Sequence, residues 1–206
     1  MDQNKNGDKE TFLTFKTLFE NFRDSRKIFR LFKSVNEAQS LHKVFFKSQG
    51  DMDDTEVMLF AAARLGFLLY WVFDNLSILS KLKVLKSDAK TFFKPSMFFW
   101  WVGILFTIIN TFRKIKNFKA QAKKLIEATK ADPEKKAEND KALAAIKNKI
   151  FACQKTLIKM FGDSIPSGAG WGLFEKLGIQ VGDTAIGLGG LISALISVEE
   201  VYSAAK

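Results

Sequence analysis

The sequence predicts an all-α fold: an integral membrane helical bundle with amphipathic surface helices and a Gly-rich C-terminal transmembrane helix. Three observations support this prediction. Hydrophobic residues make up 47% of the 206 residues, with 21 Phe and only 3 Pro, a composition that favours long helices with a large apolar face. Apolar residues recur at helical spacing through much of the chain. A stretch of 22 residues with one charge, 177–198, lies near the C-terminus.

The charge balance narrows the classes of partner. Lys and Arg number 32 against 22 Asp and Glu, which gives a formal net charge of +10 and a pI near 9.6. A basic chain favours an anionic partner, in broad terms nucleic acid or anionic lipid. A soluble nucleic-acid-binding protein needs no lipid-length apolar segment, so residues 177–198 favour lipid, and we expect no nucleic acid partner.

Residues suited to catalysis are scarce. The chain has one His, His42, and one Cys, Cys153, and it contains no CxxC, HExxH or GxSxG motif. With so few nucleophiles, bases and metal ligands, we expect no enzyme activity, no cofactor and no metal site. The first ten residues are polar and do not resemble a secretory signal, so membrane association is expected from internal segments.

Residues 1–50 are predicted to form N-terminal basic amphipathic helices. Between 11 and 33, Phe recurs at helical spacing, and the apolar arc covers roughly 160° in helical projection. A core-facing helix of a soluble domain fits the same pattern, and this alternative stays open. The predicted membrane-inserting residues are Phe12, Phe15, Phe19, Phe22 and Phe29, and the predicted lipid headgroup contacts are Lys16, Arg23, Arg26, Lys27 and Arg30.

Residues 51–112 are predicted to hold apolar helices with short membrane-embedded runs. Acidic residues stand just before the first run, where they would cap a helix N-terminus and complement its dipole. A divalent-metal loop is the alternative, but the spacing of an EF-hand is absent. The capping candidates are Asp51, Asp53, Asp54 and Glu56.

Two apolar runs lie in this region. Residues 57–73 reach about 25 Å as a helix, slightly less than a bilayer core of roughly 30 Å. Their one charge, Arg64, would cost at least about 2.5 kcal/mol facing lipid, so we expect it to face a partner helix or the interface. An amphipathic helix is expected over 74–93, a break at Pro95, and a second apolar run over 97–112.

Residues 113–162 are predicted to form a basic helical hairpin. The stretch 113–130 is the most basic in the chain, with seven basic residues against one Glu. Asp132 and the Pro-Glu pair after it form a stop and start signal, with Asp132 as the N-cap of the next helix. Gly162 is expected to end that helix.

Residues 163–206 are predicted to form a Gly-rich loop and the C-terminal transmembrane helix. The GAGWG segment, 168–172, lacks GxGxxG spacing and is expected to act as a hinge. Residues 177–198 reach about 33 Å as a helix, and small residues recur in them at intervals of four, which lets helices approach closely in lipid. The residues predicted to serve packing or oligomerisation are Gly182, Ala185, Gly189, Gly190, Ser193 and Ala194, with packing inside the chain as the alternative for one of the two ridges.

Four sequence features form a combination that covers most of the chain. They are RDSRKIFRLF at 23–32, the aromatic run closing in Asp74-Asn75, the Trp-bearing run after Lys94-Pro95, and the terminal GLGGLISALISVEEVY. Together they resemble the peroxin-11 family of peroxisomal membrane proteins. The Asp-Asn pair and the Gly-rich end are the more specific features. The family's usual basic motif opens with Gly-Arg-Asp-Lys, from which Ser25-Arg26-Lys27 departs.

The resemblance implies a protein of the peroxisomal membrane, or of a glycosomal or related microbody membrane, with both termini in the cytosol. It implies insertion of amphipathic helices, self-association into a homo-oligomer, and promotion of peroxisome elongation, proliferation and fission. The implied partners are anionic membrane lipids and fission machinery such as a dynamin-related protein. A pore-forming channel for small solutes is the alternative, because pore activity has been attributed to members of the family.

One conflict concerns the membrane topology. If 97–112 and 177–198 both cross the bilayer, the basic segment 113–130 lies in the lumen, against the positive-inside tendency. Either insertion does not follow that tendency here, or one short apolar run is embedded without crossing.

Overall fold

The computed structural model describes residues 3–46, 53–132 and 135–204, and the side chains of residues 3–7, 20, 23, 24, 26–28 and 204 lie outside this description. The all-α prediction is confirmed, since the described ranges hold helices and no strand. The helices are α1 (Gln3–Ile28), α2 (Lys33–Phe46), α3 (Asp54–Lys81), α4 (Ala89–Ala131), α5 (Lys136–Trp171), α6 (Leu173–Lys176) and α7 (Asp183–Ala204).

Aspartate side chains begin the two long apolar helices. Asp53 accepts a hydrogen bond from the Glu56 N–H at 2.9 Å, which confirms the predicted cap of α3; Asp51 lies outside the described residues. That N–H and the Arg113 guanidinium hold the pKa of Asp53 below its usual value. Asp88 caps α4 in the same way by accepting from the Lys90 N–H at 3.0 Å. Both caps satisfy amides that the first helical turn leaves free.

The break between the two apolar helices differs from the prediction. The helix expected over 74–93 does not form as one unit, because α3 continues to Lys81 and the chain turns over 82–88. Pro95 lies inside α4, near its start. A proline there removes the amide that would donate to Thr91, and the apolar residues that follow hold the helix together by packing on α3.

Helices α4 and α5 both extend further than expected. Helix α4 runs 43 residues through the whole basic stretch, and Asp132 is its C-cap, not the N-cap of the next helix. Helix α5 runs 36 residues through Gly162 and Pro166, so the predicted end at Gly162 is wrong. It ends at Gly172, which takes a left-handed conformation at φ 85°, as glycine does at helix ends. Most of the GAGWG segment is therefore helical.

The helices pack side by side in one antiparallel row. Among the described residues, α2 lies on α3, α3 on α4, α4 on α5 and α5 on α7. The facing pairs in α3 and α4 are Asp53 with Arg113 and Gly66 with Gly103; in α4 and α5 they are Thr129 with Asn139 and Phe98 with Trp171; in α5 and α7 they are Lys155 with Glu199 and Gly162 with Gly189.

Two of these helix pairs touch backbone to backbone at glycines. A Cβ added to Gly66 would lie 2.8 Å from the Gly103 Cα and N atoms. A Cβ on Gly162 would lie 2.7 Å from the Gly189 carbonyl oxygen, and one on Gly189 would lie 2.6 Å from the Gly162 oxygen. Gly162, predicted as a helix end, thus serves as a contact point for α7.

A row of helices encloses little core. The buried apolar side chains of the described residues are few: Val44, Ala63, Tyr70, Ile78, Ile104, Leu157 and Met160. Large apolar side chains on every helix from α1 to α5 and on α7 remain exposed. Both faces of the row therefore need an apolar surrounding that one chain does not supply.

Replacing Gly66 with Ala should destabilise the α3–α4 pair by roughly 1–3 kcal/mol, because the methyl group overlaps backbone atoms that cannot rotate away. Gly187→Ala is the matched control, since a Cβ there meets nothing within 4 Å, and it should be neutral or stabilise by about 0.5–1 kcal/mol. Thermal unfolding in detergent, followed by circular dichroism, measures both. Equal midpoints for the two variants would contradict the close contact.

Candidate membrane-binding surface

Helix α1 presents a Phe-rich face that the described bundle does not bury. Phe12, Phe15, Phe19 and Phe22 are 66%, 65%, 65% and 63% exposed. In the described part of the chain, α1 has no extensive contact with another helix, unlike the helices of the row. Leu18 widens the same apolar surface. Helix α1 is therefore not a core-facing helix among the described residues. Four of the five predicted inserting residues form one exposed face.

The basic residues predicted beside this face divide into three cases. Lys16 is exposed next to the Phe residues. The side chains of Arg23, Arg26 and Lys27 lie outside the described residues, so their placement stays a prediction. The Arg30 Nη2 atom is 3.2 Å from Asp74 Oδ1, so Arg30 is an ion-pair partner of α3 in this structure.

The chain turns between α1 and α2 at a corner formed by residues 29–32. Phe29, the fifth predicted inserting residue, is 83% exposed here, and Phe32 takes a φ of 66°, a strained value for a residue with a bulky side chain. Asp74 receives Arg30, and the Asn75 amide donates to Ser34 Oγ at 3.3 Å. The Asp74-Asn75 pair therefore seats the corner on α3.

Three helices are long and apolar enough to cross a membrane: Asp54–Lys81, Ala89–Ala131 and Asp183–Ser203. The strongest predicted span, 177–198, is confirmed with a shifted boundary, because α7 begins at Asp183. The predicted runs 57–73 and 97–112 lie inside α3 and α4. Most of each apolar window faces outward, as expected of helices that meet lipid.

One end of the row carries two sets of ion pairs, and we call it the charged end. One set joins the start of α3 to the middle of α4, and the other joins the middle of α5 to the end of α7. The pairs are Arg113 with Asp53 at 3.1 Å, Lys114 with Glu56 at 3.0 Å, Lys155 with Glu199 at 2.7 Å and Lys159 with Glu200 at 2.7 Å. The basic half of α4 continues beyond this end.

The opposite end of the row carries aromatic rings, and we call it the aromatic end. Trp171 lies against Phe98 and Trp101, with ring centroids 5.3 and 5.8 Å apart. The Lys176 ammonium stands 4.6 Å from the centre of the Trp171 ring. Trp rings beside a Lys are typical of the boundary between hydrocarbon and headgroups.

The small residues of α7 lie on two sides of the helix. Gly189 and Ser193 are buried against α5, where Ser193 hydrogen-bonds to Asp163. Their ridge thus serves packing inside the chain. A Cβ at Gly187 or Gly190 would meet nothing within 4 Å, and Ala194 is exposed, so this side of α7 is open. Gly182 precedes the helix, and Ala185 is exposed near its start on the ridge of Gly189.

Comparison with known proteins agrees with this geometry. Residues 1–202 match the family described as Peroxisomal biogenesis factor 11 (PEX11). The chain belongs to the PEX11 family. It is similar to two Candida boidinii proteins of that type. Peroxisomal membrane protein PMP30B is 26% identical over 98% of this chain and 82% of its own length, and PMP30A is 25% identical over 96% and 80%. No solved structure matches the chain.

Membership of the PEX11 family confirms the predicted class and location. The chain is an all-α protein of the peroxisomal membrane. Among the residues that the structure describes, no group of three His, Cys, Asp or Glu side chains is placed to hold a metal ion.

Replacing Gly189 and Ser193 together with Leu should separate α7 from α5, because the new side chains would occupy the space of the Gly162 backbone. We expect loss of the folded monomer, seen as faster proteolysis in detergent. The matched control replaces Gly190 and Ala194, on the open side, with Leu and should keep the protease-resistant core. A resistant core in the first variant would place its α7 contact elsewhere.

Proposed function

We propose that this PEX11-family protein shapes the peroxisomal membrane and so promotes elongation, proliferation and fission of peroxisomes. The observation that carries the proposal is the exposed Phe face of α1, which stands apart from the row of helices. Leaving several Phe rings in water is costly, at about 25 cal/mol for each Å² of apolar surface. A lipid leaflet removes that cost.

An inserted α1 acts as a wedge in one leaflet. An amphipathic helix sinks about 5–10 Å into the boundary between headgroups and acyl chains, so it expands the outer part of that leaflet only. The basic side chains of α1 then stay at the level of the phosphates and favour anionic lipid, with the long stem of Arg26 able to reach outward. Unequal leaflet areas bend the membrane.

The transmembrane part anchors this wedge. The distance along each helix between the charged end and the aromatic end is similar. It is about 27 Å in α3, from Glu56 to Asp74. It is about 24 Å both in α5, from Lys155 to Trp171, and in α7, from Asp183 to Glu199. We therefore propose four crossings, by α3, α4, the second half of α5, and α7. Two crossings, by α5 and α7, separate the basic segment 113–130 from the C-terminus, so both lie on the same side of the membrane.

This topology removes the conflict found in the sequence. The charged end, with the basic half of α4 beyond it, faces the cytosol in agreement with the positive-inside tendency. The conflict arises when only 97–112 and 177–198 cross; in sequence, the second half of α5 does not resemble a span because it carries Lys159 and Asp163. Lys159 pairs with Glu200, and Asp163 bonds to Ser193, so both charges have partners inside the chain.

Self-association is part of the proposal. The open side of α7, with Gly187, Gly190 and Ala194, has no neighbour within the described row, and small residues allow close helix contact in lipid. Copies joined at this side would gather several α1 wedges in one patch of membrane. Recruitment of fission machinery, such as a dynamin-related protein, would follow at the narrowed tubule.

The pore alternative has less support. The described helices of one chain form a row and not a ring. Buried polar residues at membrane depth, such as Ser96 and Asn110, lie between packed helices. A channel would thus have to be built between several copies.

Full-length protein reconstituted in anionic vesicles should draw out tubules, and replacing Phe15, Phe19 and Phe22 with Ser should abolish them, since the wedge loses its apolar volume. Replacing the same three residues with Leu is the matched control and should retain tubules. Electron microscopy of the vesicles gives the result. Tubules from the Ser variant equal to those of the parent would rule out the wedge.

The four-crossing topology predicts opposite labelling of two single cysteines placed in a Cys153→Ser background. Lys130→Cys should react with a membrane-impermeant maleimide on intact peroxisomes, because it lies beyond the charged end. Lys86→Cys, in the turn between α3 and α4, should react only after the membrane is permeabilised. Labelling of both positions on intact organelles would mean that α4 does not cross, which would overturn the four-crossing topology.

A further inference from the structure

Helix α2 lies along the apolar part of α3 and is held there by polar contacts. The Arg64 Nη1 atom is 3.2 Å from Glu37 Oε2, and the Lys33 ammonium stands 4.9 Å from the centre of the Trp71 ring. Together with the Arg30–Asp74 ion pair and the Asn75–Ser34 hydrogen bond, these contacts run from one end of α2 to its middle. The one charge in the apolar run of α3 thus has its partner in α2.

The outer face of α2 is unsuited to hydrocarbon. Val35 and Phe46 are exposed on it, but so are the polar side chains of Asn36, Gln39 and His42. Each of these polar groups would lose its water in the bilayer core at a cost of several kcal/mol. Helix α3 cannot therefore be surrounded by lipid on this side while α2 remains in place.

The position of the corner leads to the same conclusion. Arg30 contacts Asp74, which lies on the aromatic side of α3, far from Asp53 and the charged end. If α3 crosses with α2 docked, the basic helix α1 emerges on the side opposite to the basic segment 113–130. The positive-inside tendency places both on one side, so crossing by α3 and docking of α2 exclude each other.

The contact between α2 and α3 buries little apolar surface. Val44 is the buried apolar residue of α2. An open surface groove of about 630 Å³ runs between the end of α2 and the start of α3, lined mainly by Leu41, Phe45, Val57, Met58, Ala61 and Leu65. Phe45 and Met58 are 66% exposed there, and the strained φ of Phe32 adds a cost to the docked corner.

We propose that α2 is a detachable cover of α3, and that anionic phospholipid headgroups release it. When docked, α2 satisfies Arg64 and keeps α3 away from lipid. When headgroup phosphates bind Arg30 and Lys33, these residues leave Asp74 and Trp71, α2 moves off, and α3 crosses the membrane. The trigger rests on the proposed insertion of α1, which brings the corner to the headgroup layer.

Release of α2 changes the partners of Arg30 and Arg64, and the two changes differ in cost. Arginine binds phosphate through two parallel hydrogen bonds, as it binds a carboxylate, so Arg30 loses little by changing partner. Arg64 loses Glu37, and placing it in the bilayer centre costs about 2.5–3.5 kcal/mol. This cost keeps α2 docked in the absence of phosphate at the corner. After release, the insertion of the apolar side chains around Arg64 offsets it.

Cross-linking in the full-length protein tests the cover. In a Cys153→Ser background, Ser34→Cys and Asn75→Cys are joined by a short bis-maleimide after reconstitution in neutral or anionic phospholipid vesicles. We expect the yield to fall about threefold or more in anionic vesicles, as the population shifts to the released state. A second pair, Lys155→Cys with Glu199→Cys, reports the α5–α7 contact and should give the same yield in both lipids.

Three comparisons decide the outcome. Equal Ser34–Asn75 yields in neutral and anionic vesicles would overturn the proposal. The proposal would also fail if the variant with Phe15, Phe19 and Phe22 replaced by Ser showed the same fall in yield as the parent.

Glu37→Arg alone should lower the yield even in neutral vesicles, and adding Arg64→Glu should restore the yield. A yield unaffected by Glu37→Arg would overturn the proposal. Tubule formation is scored in the same samples, so a fall in yield without tubules would reject the wedge function and leave the cover standing.

Discussion

The arrangement of the helices depends on two places where backbones touch without side chains between them. Gly66 meets Gly103, and Gly162 meets Gly189, so a methyl group at these positions would overlap the backbone of the neighbouring helix. In lipid, close van der Waals contact has to replace the hydrophobic effect between helices. These contacts set the register of α3 on α4 and of α5 on α7, and that register brings together the ion pairs of the charged end.

A second consequence of the row is that the protein is incomplete without its membrane. A closed bundle would hide its apolar side chains in a shared core, whereas the row leaves them on two outer faces. The ion pairs at the charged end and the rings at the aromatic end mark the limits of the apolar band. Helix α1 stands outside this band, so the exposed Phe face and the apolar band belong to separate parts of the chain.

Much of the fold could be read from the sequence, and the misses have physical causes. The Phe spacing of α1 and the length of the C-terminal segment gave helices that the structure confirms. Pro95 and Gly162 were predicted as breaks because local propensity disfavours them inside helices. Packing on a neighbouring helix outweighs that cost at both positions, and Gly162 is needed there because a larger residue would not fit. The pairing of Arg30 with Asp74 and of Arg64 with Glu37 joins residues far apart in the sequence, and no spacing rule reveals such partners.

The apolar band has a thickness that bears on the lipid around it. At about 24–27 Å between its two ends, it is thinner than the roughly 30 Å hydrocarbon core of an average bilayer. The bilayer next to the protein has to become thinner to match, at a cost of a fraction of a kcal/mol for each Å of mismatch. Two copies that share a boundary reduce the length of this strained annulus. In the proposed four-crossing arrangement, thickness mismatch would draw copies together and favour thinner regions of membrane, before any specific contact between them forms.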